Sequence, residues 1–243
     1  GEVADPIGAT TALIDGGYSA VSPILYAYYR WATGAIAESD VNTLLESLKR
    51  NNFAKEYGDA VYKNQIIQQY NLAVRSRSDK LQSNLVLNYK HDNSGQINSN
   101  QSQLTVNYKG SYDVASWLTA SFSVNAVLDR SKGPGEDVNS RFADPWGTPA
   151  YERMYNDDGS ANLFYYTYDG NRYWNTPDGF YDLGVNIVEE FYNNVQKEDR
   201  QHMRYHADLL FKPLKGLTLD AQFVYETDHT TTEWYANEQS HVA

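Results

Sequence analysis

Residues 117–129 read Trp117-Leu118-Thr119-Ala120-Ser121-Phe122-Ser123-Val124-Asn125-Ala126-Val127-Leu128-Asp129. Leu118, Ala120, Phe122, Val124, Ala126 and Leu128 occupy every second position, with Thr119, Ser121, Ser123 and Asn125 between them. A period of two marks a β-strand, whose successive side chains point to opposite faces. The run is about twice the five or six residues of an ordinary globular strand. It meets the roughly 9–11 residues that a tilted strand needs to cross a bilayer.

Five further runs alternate in the same way. In 66–76, Tyr70, Leu72 and Val74 stand against Asn71, Ala73 and Arg75. In 81–91, Leu85, Leu87 and Tyr89 stand against Asn84, Val86 and Asn88. Residues 101–110 set Leu104, Val106 and Tyr108 against Gln103, Thr105 and Asn107. Residues 200–212 set Met203, Tyr205, Ala207, Leu209 and Phe211 against His202, Arg204, His206 and Asp208. Residues 217–228 set Leu217, Leu219, Ala221, Phe223 and Tyr225 against Thr218, Asp220, Gln222 and Glu226. One apolar and one wet face on every strand suits the wall of a membrane barrel. A soluble sandwich alternates too, but must pack its apolar face on a second sheet.

The connections support the barrel. The turns at 76–80, 111–116 and 213–216 are short. The connection at 92–100 is longer, and that at 130–199 runs to about 70 residues. Outer-membrane barrels alternate short periplasmic turns with long external loops in this way. Six strands are too few to close a membrane barrel, since about eight is the minimum. The expected fold is therefore all-β: part of a larger antiparallel transmembrane barrel, with a long extracellular loop and a short N-terminal helix.

The rest of the chain is consistent with this. It has 243 residues, net charge −11 and no cysteine, which excludes disulfides and thiolate chemistry. The acidic balance argues against a nucleic-acid partner. Mean hydropathy is −0.64 although Tyr numbers 21. No apolar run is long enough for a transmembrane helix, and the first residues lack the basic and apolar regions of a signal peptide. Residues 1–65 read as a mixed segment in which Ser22-Pro23 is a break. A helix is expected near 40–57, with Ser39 or Asp40 as cap and Val41, Leu44, Leu45 and Leu48 on its inner face. Then come four strands (66–129), the aromatic-rich loop (130–199), and a last hairpin running into the next loop (200–243).

Certain stretches resemble SusC/RagA-type TonB-dependent outer-membrane transporters. Residues 62–74, Tyr-Lys-Asn-Gln-Ile-Ile-Gln-Gln-Tyr-Asn-Leu-Ala-Val, resemble that family's QQYNLSVSGGS strand. Residues 84–97 are similar to its YYLSLGYFDQEGI segment and residues 117–131 to its WLKLGANLSYS strand. Asp144-Pro145, Thr148-Pro149-Ala150-Tyr151 and Tyr155-Asn156-Asp157-Asp158-Gly159-Ser160 resemble its P…PVYNEDGS loop, and residues 213–218 its PLKGLT hairpin. The resemblance covers about two thirds of the chain and only the early part of a longer barrel. It implies outer-membrane nutrient uptake of an oligosaccharide (glycan) or peptide. The implied partners are a SusD-like surface lipoprotein acting as lid, the TonB complex acting through regions outside this chain, and outer-membrane lipid.

The long loop holds the candidate binding residues. Trp146, Tyr165, Tyr166, Tyr168, Tyr173 and Trp174 are set among Asn, Asp and Gly. Flat rings suit the apolar faces of sugars, and tyrosine suits interfaces generally. The competing reading makes these rings, with Phe164 and Phe191, the loop's own small core.

No catalytic centre is expected. Asp157-Asp158-Gly159 reads as a turn, and Glu189 and Glu190, being adjacent, point apart. His202 and His206 share a strand face but lie about 13 Å apart along it, too far for one ion. Asp92-Asn93-Ser94-Gly95 lacks the calcium-loop pattern and reads as a turn. No cofactor motif is present. The alternatives to a transporter wall are a soluble, secreted all-β carbohydrate-binding module and a glycan hydrolase fragment.

Overall fold

The structure is a computed structural model and describes residues 5–16, 22–135, 138, 148–164 and 184–241. The chain forms two compact units. One comprises residues 1–62, 136–194 and 236–243, the other residues 63–135 and 195–235.

The second unit is a single antiparallel sheet. Its strands are β1 (Ile67–Arg77), β2 (Leu81–Asp92), β3 (Asn100–Ala115), β4 (Leu118–Pro134), β5 (Asn194–Leu214) and β6 (Leu217–Ala236). They lie in chain order, so each pairs with its neighbour in sequence and the sheet is an up-and-down meander. The six expected strands are all present.

Register joins the separate alternations into two continuous surfaces. Leu72 pairs with Leu87, Leu87 with Val106, Val106 with Ala126 and Ala126 with Met203. The next row runs Val74, Leu85, Tyr108, Val124, Tyr205. A one-residue slip in any pair would mix the faces, so the hydrophobic pattern specifies the register. Tyr205 and Tyr225 stack at 6.2 Å and carry the apolar face on to β6. This face is open: Leu72 is 56% exposed and Phe223 65%. Its margins are aromatic. Tyr70 stacks on Tyr89 at one end, and Trp117 meets Phe211 edge-on at the other. Beyond Tyr89 the same face turns polar, through the paired residues His91, Ser102, Arg130 and Asp199.

The strands outrun their alternation. β4 continues to Pro134, β5 begins at Asn194, and β6 reaches Ala236. The additional residues of β6 begin with His229, Thr230, Thr231, Thr232 and Glu233, polar on both faces. A period of two needs an apolar face for contrast, whereas the backbone ladder needs none. Connections 78–80, 116–117 and 215–216 close one end of the sheet, and connections 93–99 and 135–193 leave the other. Gly216 takes a φ of 87° at the β5–β6 turn, a conformation open to glycine.

The first unit holds short helices: α1 (Pro6–Gly16), α2 (Pro23–Ala32), α3 (Glu38–Leu48), α4 (Phe53–Val61) and α5 (Ile187–Asn193). None of the described helices is long and apolar enough to cross a membrane. Two sequence expectations are corrected here. Ser22-Pro23 starts a helix rather than breaking a segment. The Ser22 hydroxyl accepts from Leu25 N–H at 3.1 Å, and Pro23 takes the first helical position, where its missing N–H is harmless. The helix expected near 40–57 is two helices. Asn52 accepts from Lys55 N–H at 3.1 Å and restarts the chain as the cap of α4. Asp40 lies inside α3, its carboxylate accepting from Ala37 N–H at 3.0 Å, so neither it nor Ser39 is the cap residue.

Buried Phe53, Tyr57 and Val61 lie on one face of α4 at helical spacing. Phe53 packs edge-on against Phe164, ring centroids 5.4 Å apart. Val138, Met154, Val185, Ile187 and Phe191 are buried in the same unit.

Candidate functional site

The polar face of the sheet gathers most of the chemistry. Its rows are rich in amides. Asn88 donates to Asn71, and Asn125 to Asn107, across neighbouring strands. Gln101 and Gln103 both donate to the carboxylate of Asp129, at 2.8 and 3.2 Å. Ser121 donates to Ser111 at 3.1 Å. Such side-chain pairs stabilise a sheet by a few tenths of a kcal/mol to about 1 kcal/mol each. They also hold amides in place on an open surface, with donor and acceptor capacity left over.

At the centre of this face is a hollow of about 560 Å³, lined by Asn84, Asn107, Lys109, Asn125, Arg204, His206 and Gln222 among others. Register explains the grouping. Asn84 pairs with Lys109, Lys109 with Ser123 and Ser123 with His206, while Asn107, Asn125 and Arg204 form the adjacent row. A charged cluster lies beside it on β5 and β6. Arg200 bonds Asp228 at 3.0 Å, and His202 lies 3.5 Å from Glu226 and 3.4 Å from Asp228. Arg204 reaches Glu226 at 3.9 Å. These partly exposed pairs contribute little stability. Their effect is to fix charges of both signs on the polar face. His202 therefore faces carboxylates on the next strand. Among the described residues no three His, Asp or Glu side chains assemble into a metal site.

At the end of the sheet that carries the long connections, Asp92 closes the β2–β3 turn. It accepts from the Gln65 amide at 2.9 and 3.0 Å and from Ser94 N–H at 2.8 Å. These bonds, that from Gln65 foremost, hold its carboxyl below the usual aspartate range. Asp158 is the corresponding anchor of the 156–161 turn. Ser160 donates to it from both hydroxyl and N–H, lowering its pKa. Both acidic motifs are thus turns, as their sequences imply.

Trp146, Tyr165, Tyr166, Tyr168, Tyr173 and Trp174 lie outside the described residues. Of the same loop's other rings, Phe164 and Phe191 are buried, whereas Tyr155 and Tyr192 are exposed. Glu189 and Glu190 do point apart: Glu189 is exposed, while Glu190 is buried and accepts from Ser240 Oγ and His241 N–H. The hollow on the polar face was not legible as a site. Most of its residues show in the sequence as polar members of separate strands, and only register makes them neighbours.

No family model matches the sequence, and no curated protein matches it. Solved structures do match. One is described as "Structure of the RagAB peptide transporter", with a TM-score of 0.57 and 14% identity over 76% of this chain. The match covers 20% of that chain, so this sequence spans about a fifth of its length. At this identity the likeness is one of fold: a six-stranded meander like a portion of a transporter's β-barrel.

Proposed function

We propose that this chain forms part of the wall of an outer-membrane importer that takes up an oligosaccharide or peptide. The observation that carries the reading is a predominantly apolar face backed by a predominantly polar face across hydrogen-bonded rows. Along β4 the apolar band runs from Leu118 to Leu128. At about 3.4 Å per residue and a tilt near 45°, that spans roughly 24 Å, against about 25 Å for the apolar belt of such barrels. The Tyr70–Tyr89 and Trp117–Phe211 pairs stand where barrels carry aromatic girdles. A soluble module would have to cover Leu72 and Phe223, which are exposed.

In this reading the edge strands β1 and β6 pair with further strands of a longer polypeptide, since open edges of this length invite aggregation. The polar face lines the lumen, and the long connections lie outside the cell. Trp146, Tyr165, Tyr166, Tyr168, Tyr173 and Trp174 then serve substrate capture or docking of a SusD-like lipoprotein. Energy comes from TonB through parts of the transporter beyond these residues. The wall performs passage rather than covalent chemistry. The likeness to a peptide transporter supports the transport reading, and the mixed charges of the polar face suit a peptide as well as a sugar.

Fractionation of the full-length protein in a Gram-negative host tests this. Recovery in the outer membrane, with solubility only in detergent, is the expected result. A dispersed detergent-free protein would return the reading to a secreted carbohydrate-binding module, and turnover of oligosaccharides or peptides would make it an enzyme. Loss of ligand or lipoprotein binding on truncating Trp174, Tyr165 and Tyr166 in a folded protein is expected, and unchanged binding would remove those residues from the site.

A further inference from the structure

The apolar face carries a cleft of about 630 Å³ at the margin nearest the long connections. Tyr89, Leu104 and Leu128, the last apolar row, line one side. Arg130, Lys132, Lys197 and Arg200 line the other, with Asp129 and Asp199. Lys132 and Lys197 are direct register partners. Like charges placed opposite each other on paired strands repel. Lys132 turns to the Asn98 side chain at 2.7 Å, and Arg130 holds Asp199 at 2.9 Å. No ion pair among the described residues engages Lys197. Four cations against two carboxylates thus make a positive spot on a chain of net charge −11.

The depth is informative. Along the tilted strand, Arg130 lies about 5 Å and Lys132 about 10 Å beyond Leu128, measured across the band. The headgroup layer adds roughly 5–8 Å to each side of the hydrocarbon. Arg130 therefore stands at headgroup height above an apolar floor, and Lys132 with its register partner Lys197 stands just beyond it, within a long side chain's reach of the same layer. Long basic side chains suit this position, with stems on apolar surface and charge in the polar layer. A guanidinium matches a phosphate by paired N–H donors.

We propose that this cleft holds a phosphate-bearing lipid of the surrounding leaflet, its phosphate among Arg130, Lys132 and Lys197 and its first acyl carbons on Tyr89, Leu104 and Leu128. The site rests on the membrane-wall reading above. The phosphate relieves the repulsion between Lys132 and Lys197, and the apolar row distinguishes a lipid from a free anion.

The test is native mass spectrometry of the full-length protein in detergent, titrated with diphosphoryl lipid A, its dephosphorylated form and inorganic phosphate. The Lys132→Gln/Lys197→Gln variant should bind the diphosphoryl lipid at least tenfold more weakly. Its thermal midpoint should not fall, because a repulsion has been removed. The Lys80→Gln/Lys215→Gln variant, altered at the opposite margin, should bind as the parent does. The dephosphorylated lipid should bind at least tenfold more weakly to the parent protein. Arg130→Gln, read in the same titration, should also weaken binding. Equal binding by the double lysine variant overturns the proposal, as does equal loss in the opposite-margin variant. Indifference to the lipid's phosphates overturns it too. Displacement by equimolar inorganic phosphate would make the ligand a free anion and overturn the lipid assignment. A protein that stays dispersed without detergent refutes the wall reading itself. One that needs detergent but ignores the phosphates refutes only this site.

Discussion

Asn125 donates its side-chain amide to Oδ1 of Asn107 across β3 and β4. The very next residue, Ala126, pairs with Val106 on the other face. Two neighbours in sequence thus belong to opposite faces of the sheet.

That division sets the first expectation. Lysine placed on the lipid face near the band centre costs about 2–4 kcal/mol, falling toward the margins. Ala126 stands one row inside the Leu128 margin, so on the proposed membrane-wall reading Ala126→Lys should destabilise the folded protein in lipid vesicles by about 1–3 kcal/mol. Asn107→Lys loses one side-chain bond on the wet face and should cost no more than about 1 kcal/mol. Equilibrium urea unfolding of the full-length protein in vesicles reads both. Equal costs would mean that the two faces see the same medium.

The β5–β6 turn offers a test of backbone conformation alone. Gly216 has φ of 87°, and a Cβ there would meet no atom within 4 Å. Gly216→Val should cost about 1–2 kcal/mol through strain, without any clash. Gly216→Asn should cost a few tenths, because Asn tolerates this region. A value for valine indistinguishable from that for asparagine would count against a left-handed turn.

Glu190 ties the last described residues to α5. Its oxygens accept from Ser240 Oγ at 2.5 Å and from His241 N–H at 3.0 Å. Glu190→Ala removes the charged acceptor shared by these two bonds, a loss of about 1–3 kcal/mol. Limited proteolysis should then cut near residues 237–241 faster than in the parent. Glu190→Gln retains one acceptor oxygen and should fall between the two. Unchanged cleavage would show that the carboxylate does not hold this segment.

Acid should loosen two turns before it affects the sheet. Asp92 and Asp158 are both lowered from 3.8, by donors from Gln65 and Ser94 and from Ser160. A depressed folded-state pKa contributes stability that is fully present above the unfolded value. It is lost as pH falls through the folded value, so the window lies below about pH 4. Amide exchange at Ser94 and Ser160 should accelerate there beyond the intrinsic trend. Asp92→Asn should flatten the response at Ser94 alone. A Ser94 response that persists in that variant would assign the titration elsewhere.

The strands were legible because each carries its own contrast. Leu118 to Leu128 alternates with Ser, Thr and Asn, and such a pattern requires two media on the two faces of one sheet. The turns at 92–95 and 157–159 were legible too, since Asx side chains and glycine act on their own backbone. What lay beyond local sequence was everything that depends on partners. The extensions of β4, β5 and β6 keep no alternation between apolar and polar residues, so only the ladder reveals them. The split at Asn52 required a cap to win over continuous helical periodicity. The hollow around Lys109, Arg204 and His206, and the opposed Lys132 and Lys197, exist because antiparallel register brings residues as far apart in sequence as Asn84 and His206 into one row. Alternation within a strand fixes which face a side chain takes. Only pairing between strands decides which side chains meet, because that choice is made by hydrogen bonds between segments far apart in the chain.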